Sequence, residues 1–181
     1  PKVKAKKCTA CGACIKVCPE GAITRNGDKK SVIDNKKCIG CAECVVVCRF
    51  NAIEVNWESD ATLMMEKMVE YAAGAVKGKE GKCMYFNFIY NVTPDCDCCD
   101  WNDAPFVPDI GVLLSADPVA VDQAAADLVN KAPWIGVEHE LKKPKDPDKF
   151  VALRDIDWTV QVRYAEKIGI GSRSYKLIEV K

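Results

Sequence analysis

Lysine and arginine are missing from a long central stretch of this chain. Between Cys83 and Asn130 there is neither, while Asp95, Asp97, Asp100, Asp103, Asp109, Asp117, Asp122 and Asp127 give the stretch a charge of −8. The rest holds 26 basic and 18 acidic side chains, or +8, so a formal net charge of zero hides a segregation. Histidine is almost absent as well: His139 is the single one, and it sits in the charged, proline-bearing segment 138–149, read as an exposed loop with a surface histidine. No apolar run approaches the ~18 residues that cross a bilayer, which excludes membrane insertion. No signal-like apolar block follows Pro1, so export is not expected. A dense basic face interleaved with aromatics is also lacking, which excludes a nucleic-acid site. Disorder is excluded in turn by a hydrophobic content of 49%.

Cysteine is what the chain has in excess, with twelve of 181 residues. Eight fall in two quartets of one spacing: Cys8, Cys11, Cys14 and Cys18, then, after nineteen residues, Cys38, Cys41, Cys44 and Cys48. Three thiolates at every third position can wrap one face of an iron–sulfur cube, and the fourth lies too far along the next helical turn to reach it, so it ligates the other cube. The expected sets are Cys8, Cys11, Cys14 and Cys48 on one [4Fe–4S] cluster, and Cys38, Cys41, Cys44 and Cys18 on the second. A zinc site closes with four ligands and typically uses two C-x2-C pairs, and this spacing offers four cysteines twice over. A disulfide framework would require an exported chain. Over residues 1–56 these motifs resemble the bacterial-type two-cluster ferredoxins, a resemblance that implies two clusters, electron transport and a redox partner protein. So many reduced thiolates place the chain in a reducing cytoplasm, in anaerobic metabolism or an oxygen-poor setting.

The cluster segment is an internal duplication of loop, short helix and strand. Asn26-Gly27 marks a hairpin between Ala22–Thr24 and Ser31–Asp34, and Asn51–Val55 repeats the pattern of Gly21-Ala22-Ile23. Ile15, Val17, Ile23, Ile39, Val45, Val47 and Ile53 are expected to shield the cubes. With 11 basic and 5 acidic side chains, residues 1–56 carry +6 before the clusters are counted; two oxidised clusters with their thiolates would bring this to about +2. Arg49 stands after Cys48 where Pro19 follows Cys18. A cation there would stabilise the reduced form of the cluster that Cys48 holds; otherwise it is a surface residue.

Beyond residue 56 the spacing predicts a helix from Ser59 to about Lys77, with Ala61, Met64, Met68, Tyr71, Ala72, Ala75 and Val76 on its buried face. A buried strand is expected over Lys82–Val92, with Cys83 a packed thiol, and a short strand over Val112–Leu114. Asp117 caps the next helix, Pro118 opens it, and it ends near Lys131. Asp122, one turn in, is read as a partly buried inter-segment carboxylate. An amphipathic helix follows from about Trp158 to Ile168, stopped by Gly169, and a final strand over Ser174–Val180.

The densest part of the acidic stretch, Thr93–Pro105, places four aspartates and three cysteines in nine residues. Like charges so close repel, and three explanations stand. Cys96 and Cys98, with Asp95, Asp97 or Cys99, could hold an additional metal ion or cluster. The thiols could exchange electrons with a cube. Or the loop is a solvated turn whose aspartates cap amides. Carboxylates would suit Mg²⁺ or Ca²⁺, and thiolates zinc or iron, so the metal stays open.

Residues 57–181 resemble the family known as domain of unknown function 362, through Glu66-Lys67-Met68, Asn91–Cys98, Asn102–Pro105, Pro108–Gly111 and Asp117–Gln123. That resemblance implies ferredoxin quartets, a cluster or metal role for Asp95–Cys98, and a further domain-sized segment ahead of the quartets. The chain then corresponds to the C-terminal half, and a partner chain supplying the N-terminal part, or a homo-oligomer, is expected. The expected fold is an α+β ferredoxin-type two-cluster domain, 1–56, joined to an α/β domain, 57–181, with a mixed sheet and packed helices. The expected function is an electron carrier; the alternative is a redox enzyme or enzyme fragment whose site lies in loop 95–103. An assembly scaffold has no feature in its favour.

Overall fold

The structure is a computed structural model, and it describes residues 1–55, 61–95, 103–136, 141–143 and 145–180. The chain is mixed α and β, with small antiparallel sheets and short helices, and divides into two compact units, Pro1–Ser59 and Asp60–Lys181. Among the described residues no helix is long and apolar enough to cross a membrane.

The first unit is built twice over. Strand β1 (Lys2–Val3) pairs antiparallel with β4 (Ile53–Glu54), and β2 (Ile23–Arg25) with β3 (Ser31–Ile33). Helices α1 (Ala13–Val17) and α2 (Glu43–Val46) follow the two cysteine loops. The Asn26-Gly27 hairpin forms as expected, closed by the Asn26 amide donating to the Lys30 carbonyl at 2.8 Å and by the Lys30 amide donating to Asn26 Oδ1 at 2.9 Å. Its core consists of Ile23 and Ile53 with the thiols of Cys14 and Cys44, flanked by Val3, Ile15, Ile33, Val45 and Val47. Of the expected shielding residues, Ile39 is 46% exposed.

The second unit sets helices against one face of a two-stranded sheet. Strand β5 (Tyr85–Ile89) pairs antiparallel with β6 (Gly111–Ser115), placing Phe86 opposite Leu114 and Phe88 opposite Val112. Helix α4 (Pro118–Lys131) covers one side, with Ile89, Phe106, Val107, Val129 and Leu153 at the core. It starts as expected: Asp117 Oδ1 accepts the amides of Val119 at 2.8 Å and Ala120 at 3.0 Å, and Pro118, lacking an amide, occupies the first helical position. Helix α3 (Ala61–Val76) packs on α6 (Thr159–Lys167), with Val69, Val119, Val162 and Ala165 as a second core cluster.

Several expectations are corrected here. The mixed sheet is a two-stranded antiparallel one. Lys82–Val92 is not a buried strand: β5 is shorter, and its residues alternate, so that Phe86 and Phe88 face out at 55% and 70% exposure. With helices on one side only, every second residue meets solvent. The buried stripe of α3 is Met65 and Val69, not Met64, Met68 and Tyr71, all exposed, because α6 meets the helix one residue round from the expected face. Asp122 is exposed rather than partly buried, though it does join two segments, accepting from Asn87 Nδ2 at 2.8 Å. Ser174–Val180 is not a strand; the tail is tied to α4 instead, by the Ser172 amide on Asp117 Oδ2 at 2.8 Å and the Tyr175 hydroxyl on Asp127 Oδ2 at 2.6 Å. Helix α5 (Lys149–Arg154) was not expected; Asp148 Oδ1 caps it through the amides of Phe150 and Val151. Ser59 and His139 lie outside the described residues.

Candidate metal centre

Each cysteine loop is shaped by two residues in the left-handed region: Ala10 (φ 61°) and Gly12 (φ 79°) in the first, Gly40 (φ 77°) and Ala42 (φ 63°) in the second. Alternating handedness of this kind turns consecutive amides toward one side, the geometry of an anion-binding nest. Gly12 has a second reason to be glycine, since a Cβ there would come within 2.7 Å of Arg25 Nη2. The two loops are anchored alike. The Cys8 amide donates to the Lys4 carbonyl at 3.2 Å, and that of Cys38 to the Asp34 carbonyl at 3.0 Å.

Two small cavities result, and their linings exchange one cysteine. The first is lined by Cys8, Cys11, Cys14 and Cys48, with Ala13, Phe50, Ala52 and Ile53 among its walls. The second is lined by Cys38, Cys41, Cys44 and Cys18, with Ala22, Ile23, Ile33 and Ile39. The crossing follows from the backbone. Cys18 and Cys48 come after the ends of α1 and α2, and each chain then turns at a left-handed residue, Gly21 or Asn51, toward the opposite repeat. Both crossing sulfurs accept a hydrogen bond at 3.3 Å, from the Ala22 and Ala52 amides.

All eight cysteines are free thiols. Among the described residues no three His, Cys, Asp or Glu side chains gather as one metal ion would require. Four soft sulfur donors spread round an apolar hollow fit a multi-iron sulfide cube better than a lone zinc ion, whose Zn–S bonds are about 2.3 Å. Hydrogen bonding from the Ser31 backbone, then from the Ala10 backbone, draws the Cys8 thiol below its ordinary range; burial, then the neighbouring Cys38, pushes Cys44 up. Arg49 is exposed and does not line the cavity that Cys48 closes.

In loop 95–103, Asp95 forms an ion pair with Arg154, at 2.6 Å to Nη2 and 2.7 Å to Nε. Part of the counter-charge that the acidic stretch demands thus comes from α5 of the same unit. Cys96, Asp97, Cys98 and Cys99 lie outside the described residues. Cys83 is half-buried. The spacing of the cysteines does not disclose Ser31, Arg25 and Lys30, which surround the first loop. The signal available for Ser31 was the 30-residue repeat itself, which sets it against Pro1.

Residues 1–127 match the family described as Domain of unknown function (DUF362), and the chain belongs to that family. The match takes in both cysteine quartets and ends within α4, whereas the sequence resemblance had been drawn over 57–181. No curated protein matches the chain.

Proposed function

We propose that the first unit binds two [4Fe–4S] clusters and that the protein is a one-electron carrier serving redox partner proteins. The observation that carries this reading is the pair of cavities, each lined by three cysteines of one quartet and the fourth of the other. When bound, a [4Fe–4S] group supplies reversible one-electron chemistry. The chain's own residues hold it through sulfur, direct the Ala22 and Ala52 amides at the crossing thiolates, and exclude water with Ile23 and Ile53, which are 4% and 5% exposed. Hydrogen bonds to ligating sulfurs and a dry surround are the levers a protein has over the potential of such a group.

Metal and sulfide analysis tests the reading. About eight iron and eight sulfide per chain is expected; zinc in place of iron would overturn it. Extra iron or another metal would favour the alternative, a redox enzyme with a site at Cys96, Cys98 and Cys99. Cys18→Ala should damage the cluster of Cys38, Cys41 and Cys44 and spare the one nearest in sequence. Magnetic spectroscopy that resolves the two would show the reverse if each quartet closed on itself.

A further inference from the structure

We propose that the two cavities are electrostatically unequal, and that the one lined by Cys8, Cys11, Cys14 and Cys48 takes the first electron. This rests on the two-cluster reading above and adds an order to it.

The duplication has a repeat of 30 residues, so each side chain at one cavity has a counterpart at the other. Ser31 is buried, 6% exposed, with its hydroxyl 3.3 Å from Cys14 Sγ and 3.8 Å from Cys8 Sγ. A ligating thiolate carries no proton, so in the loaded protein the hydroxyl must donate. Its counterpart at the second cavity is Pro1, whose ring has no hydroxyl to offer. Two cations also hold the first loop: Arg25 Nη2 donates to the Ala10 carbonyl at 3.2 Å, and Lys30 Nζ to that of Cys8. The counterpart of Arg25 is Val55.

The carboxylates are arranged in the opposite sense. Glu20 and Glu43 line the second cavity. The counterparts of these two residues at the first cavity are Phe50 and Ala13, both uncharged and both in its lining. A hydroxyl donor and two cations stabilise added negative charge, whereas two carboxylates oppose it; Ser31 acts from a buried position, while the exposed Arg25, Glu20 and Glu43 act with solvent screening. Apart from the amino group of Pro1, which brings a positive charge to the second cavity, these differences point the same way: higher potential at the first cavity, lower at the second.

The test is a redox titration of the loaded protein followed by magnetic spectroscopy, on a chain extended ahead of Pro1 so that its nitrogen is an amide and brings no charge to the second cavity. Iron and sulfide are measured first, because fewer than two clusters would remove the underlying reading before the order of potentials is addressed. With both present, two one-electron waves are expected, separated by at least tenfold in equilibrium constant, or about 59 mV. Ser31→Ala should move only the upper wave, downward by about threefold to tenfold, the worth of one hydrogen bond. Ser31→Thr, which keeps the hydroxyl, should hold it near its original place. Glu43→Gln, at an exposed position where folding is not at stake, should raise only the lower wave. Coincident waves, a Ser31→Ala change on the lower wave, or neither variant moving either wave would overturn the proposal.

Discussion

The two units are held together by different means. In the first, helices are four and five residues long and strands two or three, too short to persist alone, and thiols supply half of the buried core cluster. In the second, α3 and α4 have 16 and 14 residues, and Phe106, Val107 and Leu153 are all but fully enclosed. One unit leaves two small hollows lined by its cysteines; the other fills itself with side chains. On the two-cluster proposal, the same chain joins a fold that depends on a ligand to one that depends on packing.

If the clusters are present as proposed, removing them should give the largest contrast. Binding free energy of a structural metal site is folding free energy, on the order of 10 kcal/mol where such sites have been measured. Chelation under reducing conditions should unfold residues 1–55, with loss of amide protection there, while α3, α4 and α6 keep their helical signal. Simultaneous loss of both units on chelation would erase the distinction, as would a metal-free first unit that stayed folded.

The same contrast explains what could be read without a structure. The grouping of the cysteines was legible because cysteine at such fixed intervals has no packing explanation, and each cavity is lined by three cysteines of one quartet and the fourth of the other. The Asn26-Gly27 turn and the Asp117-Pro118 cap were legible for a related reason, since each satisfies backbone requirements locally. The second unit's buried faces were not. On α3, apolar residues occur nearly all round, so the sequence could not tell Met65 and Val69 from Met64 and Met68, and only contact with α6 decided it. Lys82–Val92 is apolar enough for a strand covered on both sides, but the sheet is covered on one. Arg154 lies 59 residues from Asp95, and nothing local to either announces their pairing.

Within the self-packed unit, a clash should carry a cost that the first unit would not feel. A Cβ on Gly171 would stand 2.0 Å from Asp117 Oδ1, the carboxylate that caps α4 and also holds the Ser172 amide. Gly171→Ala should destabilise the second unit by about 1–3 kcal/mol, as overpacking does, and leave the iron content unchanged. Thermal unfolding followed by circular dichroism reads the first, metal analysis the second. Asp117→Ala removes the obstructing oxygen, so on that background Gly171→Ala should cost far less; equal cost on both backgrounds would show that the carboxylate is not the obstacle.

The smallest effect concerns the tail, where the second unit is held by single polar contacts rather than by core. The Tyr175 hydroxyl donates to Asp127 Oδ2, and this hydrogen bond, followed by burial and the carboxylate's charge, raises the phenol to about 12. An unfolded tyrosine titrates near about 10. The folded value is the higher, so the contact contributes fully below about pH 10 and is lost as pH rises through about 12. Tyr175 is 37% exposed, so the effect on global stability should be slight, and the tail alone should respond. Ultraviolet difference titration against Tyr175→Phe isolates this one phenol. It should ionise near 12 in the native protein and fall toward 10 in Asp127→Asn, with cleavage of residues 172–180 by an alkali-stable protease rising over the same range. A phenol that titrates near 10 with Asp127 in place would mean that Tyr175 does not pin the tail to α4, leaving Ser172 on Asp117 and Arg173 on Glu166 as what holds it.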